Sequence, residues 1–132
     1  MRIYLSGPMT GQKDLNRKAF ADIAFTLQSK GHFVINPHDL SSAFGTAEEI
    51  AYSFQELYLL EDGGYASKEK NDDAEDDAKL ARAVMETDLA ALRTCDAIYL
   101  LKGWENSRGA KKELAEAIAH GLIIKHEGGC YG

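Results

Sequence analysis

The stretch Met1-Arg2-Ile3-Tyr4-Leu5-Ser6-Gly7-Pro8-Met9-Thr10-Gly11 decides the fold. Ile3-Tyr4-Leu5 is a short apolar β-like run, and Ser6-Gly7-Pro8 ends it. Helical spacing follows over residues 14–30, with Leu15, Ala19, Ile23 and Leu27 on one face and Phe20 beside them. Asp14 is the expected cap and Gly31 the expected residue after the helix end. His32-Phe33-Val34-Ile35 reads as a second strand, stopped by Asn36-Pro37. Strand, helix and strand within so short a span make one βαβ unit, whose crossover is nearly always right-handed.

Working outward, residues 47–60 read as a further helix, with Thr46 as cap and Glu49 completing a capping box. Gly63-Gly64 breaks it. Residues 64–77 read as an acidic loop in which the next helix can begin. Residues 78–93 are helical again, with Leu80, Val84, Leu89 and Leu92 apolar. Residues 96–101 read as a buried strand and Gly103 to Arg108 as a loop. A helix is predicted over 109–120, capped by Ser107 and ended by Gly121, and Leu122-Ile123-Ile124 is a last strand. Apolar strands alternating with helices predict an α/β fold: a flavodoxin/Rossmann-like parallel sheet of four to five strands flanked by helices. The 132 residues are expected to form one domain, with an acidic insertion at about 45–78.

Composition narrows the function classes. Hydrophobic residues make up 45% of the chain, enough for a core. No apolar run reaches the length of a membrane helix, and no signal-peptide pattern follows Met1, so a cytoplasmic protein without a membrane partner is expected. The formal net charge is −6, and Glu61, Asp62, Glu69, Asp72, Asp73, Glu75, Asp76 and Asp77, with only Lys68 and Lys70 among them, account for it. The rest of the chain is balanced and shows no basic patch, which argues against a nucleic-acid partner. Cys95 and Cys130 form no disulfide framework, and Cys95 is expected to be reduced and partly buried. The Asp72-Asp73 and Asp76-Asp77 pairs lack the order and central glycine of a calcium loop. His32, His38, His120 and His126 lack zinc spacing, so neither a metal nor an organic cofactor is expected.

In open parallel sheets, ligands sit outside the carboxyl ends of the strands. That rule selects Ser6 to Gly11, Asn36 to Asp39 and Gly103 to Arg108. Gly7 and Gly11 permit close backbone approach to an anion, although the turn has neither a Walker lysine nor the three-glycine dinucleotide fingerprint. Glu113 falls early in the helix after the third loop. There the helix dipole is expected to favour its charged form and keep its pKa low, which suits a nucleophile at an anomeric carbon. A solvent-facing glutamate on an amphipathic helix is the competing reading. Asp88 offers a second carboxylate for proton donation, or else pairs with Arg93 on the helix surface.

The ordered pieces Ile3 to Gly11, Asn36-Pro37, Asp88, Cys95 to Ile98 and Gly103 to Glu113 resemble the nucleoside 2-deoxyribosyltransferase superfamily, which also contains 2′-deoxynucleoside 5′-phosphate N-hydrolases. The resemblance covers roughly residues 1–40 and 80–124. It implies that Glu113 attacks C1′ to form a glycosyl-enzyme intermediate, that Asp88 protonates or orients the base, and that Tyr4 positions the nucleophilic carboxylate. It implies substrate contacts from Ser6, Gly7, Pro8, Met9 and Gly11, from Asn36, and from Ser107 and Gly109. It also implies a homodimer or larger homo-oligomer acting on a small-molecule nucleoside or nucleotide. Ser107 stands where transferases on nucleosides usually carry an acid and the nucleotide hydrolases a serine. A serine hydroxyl attracts a 5′-phosphate and a carboxylate repels it, which favours a nucleotide, although Ser107 is equally an ordinary helix cap. Trp104 is expected to line the site mouth or to pack against a neighbour. Tyr52, Phe54, Tyr58 and Tyr65 are candidates for stacking on a base or for the core. Two other functional readings fit the same residues: a nucleotide-binding or sequestering module without catalysis, and a structural protein that uses its acidic segment as an interaction surface.

Overall fold

The computed structural model describes residues 1–9, 12–41, 57–59, 65–67 and 72–128. Strand β1 spans Arg2–Ser6, α1 Arg17–Ser29, β2 Phe33–Ile35, α2 Pro37–Ser41, β3 Leu57–Leu59, β4 Tyr65–Ser67, α3 Asp72–Arg93, β5 Ala97–Leu100, α4 Arg108–Ala119 and β6 Ile123–His126. Four strands form one parallel sheet in the order β2-β1-β5-β6, with Ile3 opposite Val34, Tyr4 opposite Ile98 and Ile98 opposite Ile124. This is the flavodoxin/Rossmann-like sheet the sequence predicts, with four strands. β3 and β4 pair separately and antiparallel, Leu57 opposite Ser67.

Both faces of the sheet are covered, which is why β1 and β5 are apolar nearly throughout. Alternate side chains of a strand point to opposite faces. Ile3 and Leu5 pack with Phe20, Ala24 and Leu27 of α1, together with Ala97 and Leu101. Tyr4 packs on the other face with Met85, Leu89 and Leu92 of α3, Ile98, Leu100 and Ala117 of α4. Helices α3 and α4 therefore share a face, and Tyr4 lies beneath both.

Several elements differ from the sequence reading. α1 begins at Arg17, because Asp14, Leu15 and Asn16 all adopt left-handed φ of 50–62° within a 3-10 turn. Asp14 caps nothing there. The Asn16 side chain donates to the Pro8 carbonyl at 3.0 Å, tying the turn to the first strand-end loop. Asn36 to Asp39 is the start of α2 rather than a loop. Asn36 Oδ1 accepts from the His38 amide at 3.0 Å, and Pro37 takes the first helical position, where its missing N–H costs nothing.

Leu57–Leu59 is a strand, not the end of a helix over 47–60. Its Leu-Tyr-Leu sequence suits a pleated surface and finds a partner in Tyr65–Ser67, beyond the two glycines. Residues 47–56 lie outside the described residues. α3 starts at Asp72, inside the stretch read as an acidic loop. A run of Asp and Glu at a helix N-terminus complements the macrodipole, so the helix begins within that stretch, as the sequence allows. Helix ends at Gly31 and Gly121 follow the sequence reading, with φ of 91° and 71°. Cys95 is a buried free thiol, and Cys130 lies outside the described residues. No helix among the described residues is long and apolar enough to cross a membrane.

Candidate active site

Among the described residues, three polar side chains lie in the otherwise apolar core: Ser6, Asp88 and Glu113, at 0%, 8% and 7% exposure. Each comes from a different element. Ser6 ends β1, Asp88 sits on α3 and Glu113 on α4. Ser107 sets the register of α4. Its Oγ accepts from the Ala110 amide at 3.1 Å, which fixes the first turn and turns Glu113, six residues on, toward the sheet. The alternation of β1 does the rest. Tyr4 and Ser6 are two apart, so they point to the same face, and both reach the same carboxylate. Tyr4 Oη donates to Glu113 Oε2, and Ser6 Oγ donates to Glu113 Oε1 at 2.8 Å.

Burial pushes the Glu113 carboxyl up to about 7, against the pull of the hydrogen bonds from Tyr4 and Ser6. This corrects the expectation of a low pKa. Removing a carboxylate from water outweighs the helix-terminus effect, which falls off within the first turn. Asp88 is pushed further, to about 8, by burial and then by the charge of Glu113. The phenol of Tyr4 is held well above its usual value by burial and by both carboxylates. Like charges in a dry site do not both ionise at neutral pH. Two hydroxyl donors stabilise charge on Glu113, whereas Asp88 Oδ1 is buried with no hydrogen-bond partner among the described residues. The pair therefore loses its first proton at Glu113 and keeps the second on Asp88. Arg93, the sequence's alternative partner for Asp88, instead bonds Glu116 of α4 through Nε at 2.7 Å.

The remaining candidate positions are less central. Gly7 is required by packing, since a Cβ there would stand 2.8 Å from Leu101 Cβ. The Pro8 carbonyl accepts from Asn16, and a Cβ on Gly103 would stand 3.3 Å from the Pro8 ring, so the first and third strand-end loops abut. Met9 is half-buried against the α1 face of the sheet. Asn36 caps α2. Gly109 lies near the contact of α4 with α3, a Cβ there meeting Met85 Cε at 3.6 Å. Trp104 packs against the α3 and α4 core and edge-on to His126 at 5.8 Å between ring centroids. Gly11, Tyr52 and Phe54 lie outside the described residues, and Tyr58 and Tyr65 are described only as positions on β3 and β4.

Two features escape the sequence reading. One is the bond from Ser6 to Glu113, whose signal is the two-residue spacing from Tyr4 on an alternating strand. The other is His38, which lacks zinc spacing yet stacks edge-on to Phe20 at 4.9 Å, half-buried, with its pKa lowered chiefly by burial. Among the described residues, no group of three His, Cys, Asp or Glu side chains is placed to hold a metal ion.

A family model described as "Domain of unknown function (DUF4406)" matches residues 1–62 and 58–126. No curated protein matches the sequence.

Proposed function

Since the chain belongs to the DUF4406 family, itself related to nucleoside 2-deoxyribosyltransferase-like proteins, we propose that it cleaves or transfers the N-glycosidic bond of a 2′-deoxynucleotide, or of a deoxynucleoside, with Glu113 as nucleophile. The observation that carries this reading is the buried pair of carboxyls, one held by two hydroxyl donors and the other with its Oδ1 lacking a hydrogen-bond partner among the described residues. Such a pair divides the two tasks of glycosidic cleavage.

A Glu113 oxygen forms the bond to C1′ while the C1′–N bond breaks, and its electron pair passes to the base. Asp88 gives its proton to the departing nitrogen. Water or a second base then attacks C1′, returns its proton to Asp88 and frees Glu113. Hydrolase and transferase differ only in which acceptor reaches the intermediate. Ser107 at the start of α4, with no acidic side chain in its place, supports a 5′-phosphate over a 5′-hydroxyl. The reading includes a homodimer or larger assembly, which sedimentation of the purified protein checks.

The deciding experiment is release of free base from each of the four deoxynucleoside monophosphates and from their nucleosides, with wild type and Glu113→Ala. Release from the monophosphates that disappears in the variant supports the proposal. Absence of release, with nucleotide-induced thermal stabilisation retained, points to a binding module instead.

A further inference from the structure

Ser6 stands at the carboxyl end of β1, where the sequence places ligand contacts, yet none of its surface is exposed and its hydroxyl is spent on Glu113. We propose that Ser6 is a positioning residue for Glu113, its hydroxyl forming the releasable half of a two-donor clamp on that carboxylate. The word nucleophile for Glu113 rests on the function proposed above; the clamp itself does not.

The two donors differ in kind. Tyr4 carries its hydroxyl at the end of a rigid ring that is fully buried among α3, α4 and β5. Its oxygen has no room to leave Oε2 without moving the core. The Ser6 hydroxyl hangs on one rotatable bond, so its direction can change without moving the core, at the cost of the bond it gives up. The backbone that carries it is fixed: the Leu101 amide donates to the Ser6 carbonyl at 2.8 Å, and Ser6 pairs with Leu100 in the sheet. Motion is thus confined to the side chain. Ser6 is also one strand position nearer than Leu5, and two nearer than Tyr4, to the loops that receive a ligand in this class of sheet. Oε1 is accordingly the oxygen that can be freed toward those loops, while Oε2 anchors the carboxylate through Tyr4. In the free protein Ser6 holds Oε1 in its attacking orientation. When a carbon with developing positive charge approaches, the hydroxyl turns aside and no bond to Ser6 is made or broken.

The test reads Glu113 directly and without substrate. Protein carrying glutamate labelled with carbon-13 at Cδ is titrated by NMR, and the Glu113 resonance is identified by its loss in Glu113→Gln. The ionisable groups facing Glu113 among the described residues are Tyr4 from β1 and Asp88 from α3. Ser6→Ala removes a donor to the charged form, so the Glu113 midpoint moves upward. Tyr4→Phe moves it upward as well and serves as the positive control. Ser6→Cys, a weaker donor of similar shape, falls between Ser6→Ala and wild type, and it reports the same quantity if the alanine variant folds poorly. A Ser6→Ala midpoint equal to wild type, with Tyr4→Phe displaced, overturns the clamp. In the base-release assay Ser6→Ala is expected to lower kcat about tenfold or more with KM little changed, since misorientation of the nucleophile is felt in the chemical step. A protein without base release in any form undoes the catalytic reading, while the NMR result stands or falls separately.

Discussion

Tyr4 and Glu113, separated by 109 positions in the chain, share a hydrogen bond at the centre of the molecule, Oη to Oε2. That bond joins the middle of the first strand to the helix that closes the sheet's other side, so the candidate site and the core are one structure. The price of placing a carboxylate there is visible in its raised pKa, about 7.

Tyr4→Phe keeps the ring and removes only the donor. At pH 8, where Glu113 is charged, loss of that bond is expected to cost roughly 1.5–3 kcal/mol, and at pH 5, where the acid is neutral, roughly 0.5–1.5. Urea denaturation at the two pH values checks this. Equal costs at both would mean that Glu113 does not ionise beside Tyr4.

Stability is expected to fall as pH rises. The folded protein holds protons on Asp88 to about 8 and on Glu113 to about 7, against ordinary values of 3.8 and 4.5. Between those limits the native state binds more protons than the unfolded chain, so the unfolding free energy has a negative slope with pH. The contribution is fully present below the ordinary values and lost as pH passes the folded ones. Melting temperature measured from pH 5 to pH 9 should decline, and Asp88→Asn should flatten the decline and melt higher than wild type at pH 8. A wild-type melting temperature that climbs over this range would contradict the assignment.

Gly7→Ala puts a methyl 2.8 Å from Leu101 Cβ. Overpacking of this kind typically costs about 1–3 kcal/mol. Because the atom met is a β-carbon, which alanine retains, adding Leu101→Ala should fail to restore stability. A double variant as stable as wild type would show that the loop moves aside freely.

Ser107→Ala removes the cap of α4 and should cost about 0.5–2 kcal/mol, whereas Ser107→Gly should cost only a few tenths. Comparing base release from nucleotides and nucleosides in the glycine variant then separates capping from ligand contact. A selective loss on nucleotides assigns Ser107 to the 5′-phosphate, and equal rates confine it to the helix.

Much of this was legible beforehand because the signals were local. Ile3-Tyr4-Leu5, the apolar run over 97–100 and Ser107 each declare their role within a few residues. The Glu113 pKa was not legible, since it depends on how completely α3, α4 and β1 close over one side chain. An acidic run suits both a solvated loop and a helix N-terminus, so the sequence bounds the start of α3 without fixing it. Leu57–Leu59 reads as helix in the sequence because its antiparallel partner lies beyond Gly63-Gly64, and three residues carry too little periodicity to choose. The left-handed Asp14 to Asn16 turn, fastened to Pro8, is a tertiary contact with no sequence signal of its own.

The ion pair between Arg93 and Glu116 carries one more implication. Asp88 and Arg93 ride on the same helix, as do Glu113 and Glu116, so the pair bolts together the two carriers of the central carboxyls. When both carboxyls ionise at alkaline pH they push those carriers apart, and the bolt resists. Such a strut is worth little as a stabiliser in its own right, being partly exposed. Its consequence is one of alignment: it ties α3 to α4 near the two central carboxyls and so marks how far one helix stands along the other.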